Sequence, residues 1–102
     1  MSENTVDKPW GVYMILLETP YTKVKKIVVN PNQKLSLQYH NHRSEVWTIV
    51  KGDGVFANGK QCVAQRVYPG LENSDRISLR AQGSEAELIA FDAWQMKSIY
   101  ND

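Results

Sequence analysis

Both histidines of this 102-residue chain lie in one short segment, beside two other side chains whose oxygens can bind metal ions. The segment reads LSLQYHNHRSEVW and contains Gln38, His40, His42 and Glu45. Imidazole nitrogens, carboxylates and amide oxygens all bind zinc, iron, manganese or nickel. The segment is therefore a candidate metal site. The alternative is a polar, solvent-facing strand that happens to carry two histidines.

Strand geometry would place these polar groups on one face. In a strand at residues 34–42, side chains two positions apart point to the same side, so one face carries Ser36, Gln38, His40 and His42. The other face carries Leu35, Leu37, Tyr39 and Asn41, and we expect its apolar side chains to point away from the pocket. A turn at Arg43–Ser44 would then bring Glu45 back beside His40.

Composition argues against several classes of function. The net charge of +1 at pH 7 gives no electrostatic basis for binding nucleic acid or an anionic membrane. We interpret the basic run KVKK, Lys23 to Lys26, as a solvated strand face. The single cysteine, Cys62, excludes an internal disulfide and favours a reducing, cytoplasmic setting. We expect neither a signal peptide nor a membrane helix, because no stretch has the required apolar length.

Frequent turn signals separate short runs that are rich in Val, Ile, Leu, Tyr and Trp. This pattern predicts an all-β sandwich or barrel that forms one domain, residues 1–102. The strands are expected at residues 11–18, 22–30, 34–42, 46–51, 54–57, 60–67, 76–80 and 86–93. Asn58-Gly59 is expected at the tight turn of a hairpin. The tail from residue 94 is either a last strand or a short helical turn.

The segment around the histidines resembles the first motif of the cupin superfamily, G-x5-H-x-H-x4-E-x6-G. In NQKLSLQYHNHRSEVWTIVKG, the second histidine, the glutamate and the closing glycine fall on His40, Glu45 and Gly52 without gaps. Two positions depart from the motif, because Asn32 replaces the opening glycine and Gln38 the first histidine. The resemblance implies a single small cupin, which is a double-stranded β-helix or jelly-roll barrel.

The resemblance is closer to one branch of the superfamily. KPWG, KVKKIVVNPNQKLSLQYHNHRSEVWTIVKGDG and AELIAF are similar to the cupin domain of type II mannose-6-phosphate isomerases. That domain is often joined to a mannose-1-phosphate guanylyltransferase. The resemblance implies metal-dependent aldose–ketose isomerisation of a sugar phosphate, with zinc, manganese or iron as the cofactor.

The resemblance also suggests roles for individual residues. It implies that Gln38, His40 and Glu45 bind the metal. Strand parity makes His42 a candidate for a fourth ligand, because it points to the same face, although the family pattern does not require it. His42 is also the best candidate for the catalytic base by strand parity. Lys23 and Lys25 are candidates for binding the sugar phosphate, or they are lysines that face solvent. Arg43 either contacts phosphate or pairs with Glu45 at the turn.

One expected ligand is absent from the sequence. Cupins usually supply a further histidine from a second motif, P-x-G-x2-H-x3-N, and this chain has no histidine after His42. Alignment back from AELIAF places that histidine near Ile77. The alternative to a metal is therefore an arginine, Arg76 or Arg80, that enters the barrel and pairs with Glu45.

The sequence is also compatible with two other functions. The first is a non-catalytic cupin that binds a sugar or another small polar ligand, or that serves as a dimeric scaffold. The second is a different metal-dependent cupin activity, such as dioxygenation. An apolar outer face, to which Val24 and Val28 belong if Lys23 and Lys25 face inward, leads us to expect a homodimer. Three tryptophans, Trp10, Trp47 and Trp94, are expected to be core or interface residues.

Overall fold

The computed structural model describes residues 5–36, 43–69 and 78–94, and in these ranges the chain folds into nine β-strands. The strands are β1 (Thr5–Lys8), β2 (Gly11–Glu18), β3 (Thr22–Val29), β4 (Arg43–Lys51), β5 (Gly54–Phe56), β6 (Gln61–Cys62), β7 (Arg66–Tyr68), β8 (Leu79–Ala81) and β9 (Ala86–Trp94). The described part of the chain contains no helix long and apolar enough to cross a membrane.

The strands form two antiparallel sheets. The larger sheet has the order β1-β2-β3-β9-β4-β7, and the smaller sheet has the order β6-β5-β8. Strands β3 and β4 follow each other in the chain, but β9 lies between them in the larger sheet. The connection from β3 to β4 therefore crosses over, as connections do in a jelly roll. The prediction of an all-β cupin barrel is confirmed.

The core forms because three central strands of the larger sheet alternate between buried and more exposed positions. In β9 the buried positions recur at every second residue, as a half-buried strand requires. The inner faces of β3, β9 and β4 meet the smaller sheet. The buried apolar residues are Ile27, Val29, Leu35, Trp47, Ile49, Cys62, Leu79, Ala81, Ala86, Leu88 and Ala90. Burial raises the pKa of the Cys62 thiol to about 11, so the thiol is neutral near pH 7.

Most of the predicted strands are present, with two exceptions in the middle of the chain. Residues 34–36, the described start of the strand expected at 34–42, form only an isolated bridge between Lys34 and Arg80. The prediction of a single strand at residues 60–67 is wrong, because this segment is divided into β6 and β7. Gln65 adopts a positive φ of 67° between them, and its N–H donates to the Ile49 carbonyl at 2.7 Å. The strand β1 was not predicted, although it pairs with β2 over four residues. The Asn58-Gly59 hairpin turn is confirmed, with Gly59 at φ 89°.

Two expectations around the histidine segment are wrong. Arg43 and Ser44 do not form a turn, because they begin β4 and pair with Trp94 and Ala93 of β9. Leu35 does not point away from the barrel. It is only 5% exposed, and both its N–H and its carbonyl make hydrogen bonds. Its N–H donates to the Leu79 carbonyl, and its carbonyl accepts a bond from Ser78 Oγ. The rest of the predicted strand, residues 37–42, lies outside the described residues.

Gly52, which follows β4, is a position where only glycine fits. Its φ is 83°, and an added Cβ would lie 2.4 Å from the Glu85 carbonyl oxygen. The closing glycine of the motif therefore has a steric role, because it lets the chain turn back against the start of β9.

We expect Gly52→Ala to lower the free energy of unfolding by about 3 kcal/mol, since it adds a backbone clash to left-handed strain. Gly59→Ala is the matched control, because Gly59 also has a positive φ but no atom lies within 4 Å of an added Cβ. Its cost should be about 1 kcal/mol, from backbone strain alone. Urea denaturation of both variants measures the difference. Equal losses would contradict a steric role for Gly52.

Candidate functional site

A pocket of about 210 Å³ opens on the inner face of the larger sheet. Its wall combines aromatic rings with a few charged groups, as ligand pockets in proteins commonly do. The residues that matter for its chemistry are Lys8, Trp10, Tyr13, Lys25, Glu45 and Trp47. They come from four strands and the turn between β1 and β2, so the fold of the whole sheet positions them.

Glu45 is the carboxylate of this pocket. It lies on β4 two residues before Trp47, on the buried face of the strand, and is 2% exposed. The Trp47 indole Nε1–H donates a hydrogen bond of 2.8 Å to Glu45 Oε1. A bond from a buried donor orients the carboxylate and offsets part of the cost of removing it from water.

Asp92 lies directly across from Glu45 on the neighbouring strand β9. It is fully buried, at 0% exposed. Directly opposite residues on antiparallel strands have Cβ atoms about 4.5–5.5 Å apart, so the two acidic side chains occupy adjacent positions on one face. Two buried carboxylates this close favour a positive charge near them, because a cation offsets the cost of removing them from water.

Lys25 brings such a charge to the inner face of β3. Its Nζ lies 3.9 Å from Asp92 Oδ2 and 5.6 Å from the centre of the Tyr13 ring. The Lys25 side chain is 18% exposed, so most of it is removed from water. Asp92 attracts the ammonium group through a Coulomb interaction and the Tyr13 ring attracts it through a cation–π contact, so both hold the side chain in place.

Lys23 lies on the same face of β3 but makes a different contact. Its Nζ is 3.4 Å from Glu18 Oε2, at the end of the β2–β3 pair, and the Glu18 side chain is 57% exposed. The described wall of the pocket includes Lys25 and not Lys23. The two lysines that the sequence grouped together are therefore separated by the structure.

The remaining predicted site residues have different outcomes. Gln38, His40 and His42 lie outside the described residues, as does Arg76. Arg43 is placed by its backbone at the start of β4. Arg80 does not pair with Glu45, because its Nη1 donates to the Asn32 carbonyl at 3.0 Å on the surface. Within ranges 5–36, 43–69 and 78–94, no group of three His, Cys, Asp or Glu side chains is positioned to hold a metal.

Three pocket features were missed by reasoning from the sequence. Asp92 follows the quoted run AELIAF, and strict alternation from Ala86 through Leu88 and Ala90 places it on the buried face. An acidic residue at that position in the pattern was the available signal. Lys8 was not considered because β1 was not predicted, and Tyr13 because the inner face of β2 was not assigned.

Comparison with known proteins identifies the family. The family model for the mannose-6-phosphate isomerase C-terminal domain matches residues 1–79. A mannose-1-phosphate guanylyltransferase from Klebsiella pneumoniae is 44% identical over 82 residues. The match covers 71% of this chain and 17% of that relative, so the chain spans under one fifth of the relative's length.

Solved structures share the fold at low sequence identity. KdgF from a Halomonas species superposes with a TM-score of 0.77 at 10% identity, covering 96% of this chain and 94% of that one. A cupin described as a sugar phosphate isomerase, from Silicibacter pomeroyi, has a TM-score of 0.65 at 16% identity, covering 82% and 59% of the two chains. Together with the family match, the shared barrel shows that this chain is a cupin of the mannose-6-phosphate isomerase C-terminal family.

Proposed function

We propose that this protein is a metal-dependent isomerase of a sugar phosphate, with mannose 6-phosphate as the model substrate. The observation that carries the proposal is the buried Glu45 carboxylate, which lines the pocket at the position of the motif glutamate and is oriented by Trp47. The family match and the sugar phosphate isomerase named among the structural neighbours support the substrate class.

The proposed metal ligands are Gln38, His40 and Glu45, with His42 as a fourth. Glu45, the described member of this set, has suitable donor chemistry because it presents a buried carboxylate in the pocket. Asp92, which is not in the set, lies opposite Glu45 on the next strand and adds negative charge beside the site. Oxygen and imidazole donors suit zinc, manganese or iron. When bound, such an ion would polarise the oxygens at C1 and C2 of the sugar.

The chain's own residues would carry the rest of the reaction. Aldose–ketose isomerisation moves one proton between C1 and C2, and His42 is our candidate for the base. Trp10, Tyr13 and Trp47 give the pocket apolar walls that exclude water from the reacting carbons. Lys25 and Arg43 are the candidates for neutralising the phosphate, and of these Lys25 lines the pocket. Lys23 is set aside as a candidate, because its ammonium group pairs with Glu18 and the described wall of the pocket does not include it.

A non-catalytic sugar-binding cupin is the second candidate function. It is favoured by the absence of any histidine after His42, where the second motif of a cupin usually supplies a further ligand. In this alternative, Lys25 and Asp92 are structural partners, and the pocket binds its ligand through aromatic and polar contacts.

We also propose that the protein forms a homodimer through the outer face of the larger sheet. Strand register places Leu17, Val24, Phe91 and Val46 side by side across β2, β3, β9 and β4. Leu17 is 52% exposed and Phe91 45% exposed, and Val67 of β7 extends the apolar surface. Burial of such a face against a second copy would remove this apolar area from water.

Metal content tests the metal site without any assay of activity. We expect tag-free protein purified without added metal to contain about one equivalent of a transition metal, and His40→Ala to lose most of it. Mass spectrometry of the purified proteins gives the ratio. Lys34→Ala, a change at an exposed position, is the control. A wild-type protein that stays free of metal after incubation with zinc, manganese and iron would contradict the metalloenzyme proposal.

Isomerase activity tests the role of the Glu45–Trp47 pair. We expect wild type to convert mannose 6-phosphate to fructose 6-phosphate and Glu45→Gln to abolish the conversion. Trp47→Phe keeps the ring but removes the donor, and should lower kcat/KM about tenfold. Glu85→Gln is the control, because this carboxylate pairs with Lys51 at the surface. Full activity in Glu45→Gln would remove Glu45 from the site.

The homodimer is tested by light scattering coupled to size exclusion. Wild type should have twice the monomer mass, and Phe91→Glu should have the monomer mass because it puts charge in the centre of the apolar face. Val63→Glu is the matched control, since Val63 is 38% exposed but follows β6 of the smaller sheet. A wild-type monomer at all concentrations would refute the dimer.

A further inference from the structure

The pocket carries opposite charges on separate strands. Lys25 lies on β3 and Glu45 on β4, and β9 lies between these strands in the sheet. Neighbouring strands are about 4.8 Å apart, which puts the two backbones roughly 10 Å apart. Lys8 of β1 lines the same pocket beyond β3, so both pocket lysines belong to the β1–β3 side. The lysines thus line one side of the pocket, which we call its cationic end, and Glu45 lines the other, with Asp92 buried on the strand between them.

A hexose 6-phosphate has a matching distribution of polar groups. Its phosphate monoester carries nearly two negative charges at neutral pH, and its C1 and C2 oxygens lie at the opposite end of the carbon chain. In the proposed function, C1 and C2 face Glu45. The phosphate then falls toward the cationic end of the pocket.

We propose that Lys25 and Lys8 form the phosphate subsite of this pocket, and that Asp92 is the positioning residue for Lys25. This inference rests on the proposed function and deepens it. It selects Lys25 over Lys23, and it adds Lys8 and Asp92, which were not among the site residues predicted from the sequence. Lys23 is excluded because its ammonium group is held by Glu18 at the end of the strand pair, 3.4 Å away.

Asp92 holds the Lys25 ammonium group in position in this pocket. A buried carboxylate attracts the ammonium group and so limits the directions in which the long lysine side chain can point. Asp92 Oδ2 lies 3.9 Å from Lys25 Nζ and, being fully buried, approaches it from the sheet rather than from the solvent. An ammonium group has three donors, so contact with Asp92 leaves others for a ligand.

Calorimetric titration with mannose 6-phosphate and with unphosphorylated mannose tests the subsite. Lys25→Met should weaken mannose 6-phosphate binding about tenfold or more, which corresponds to the loss of one charge-assisted hydrogen bond. Binding of mannose should not change. Lys23→Met is the matched control, since it is on the same strand and face, and it should bind both ligands as wild type does.

A double-mutant cycle tests the role of Asp92. Asp92→Asn should weaken mannose 6-phosphate binding about threefold to tenfold in the wild-type background, and should have no further effect when Lys25 is already methionine. A purely structural role would weaken binding equally in both backgrounds and would also weaken mannose binding. Either result would remove Asp92 as a positioning residue.

The outcomes separate this inference from the function on which it rests. If wild type binds neither ligand, the proposed function fails and the inference fails with it. If wild type binds mannose 6-phosphate and Lys25→Met binds it equally well, the inference fails and the proposed function stands. Should Lys25→Met not fold, as judged by circular dichroism, Lys8→Met decides the matter, because Lys8 is exposed and its loss should weaken phosphate binding alone.

Discussion

Glu45 and Asp92 face each other on adjacent strands inside a small barrel, and the cost of burying these two carboxylates shapes the site around them. Moving an ionised group from water into the protein interior costs several kcal/mol unless an opposite charge or hydrogen bonds compensate for it. The described structure supplies part of the compensation locally, through the Trp47 indole at Glu45 and the Lys25 ammonium at Asp92. In our proposals, the Glu45 carboxylate also binds the metal, and the Lys25 ammonium also binds the phosphate.

The three central strands explain how the charges can coexist with a stable core. Along β3, β4 and β9, the same alternation that buries Val29, Ile49 and Leu88 deeper in the barrel also directs Lys25, Glu45 and Asp92 into its interior. The apolar ends of these strands pack against the smaller sheet, and the polar ends form the pocket. The residues that stabilise the core and the residues that line the pocket thus lie at opposite ends of one continuous face.

The sequence predicted the fold well because its strands are marked by turns and alternation, and because the motif glutamate and glycine fall in register. The motif glutamate falls on Glu45, which lines the pocket, and the closing glycine falls on Gly52, which has a positive φ. Prediction from the sequence failed where the answer depends on tertiary contacts. Strand parity gives Lys23 and Lys25 the same face, and only the pairing with Glu18 or Asp92 distinguishes them. Leu35 is buried because Leu79 and Ser78 bind its backbone, which no local pattern in the sequence indicates.

A crystal structure of the protein soaked with zinc and mannose 6-phosphate would show whether the pocket binds a metal at Glu45. We expect an anomalous peak about 2.1 Å from a Glu45 carboxylate oxygen, with the phosphate of the sugar beside Lys25. Anomalous density that is absent from the barrel, together with an empty pocket at Glu45, would contradict the claim that this pocket is a metal-dependent sugar phosphate site.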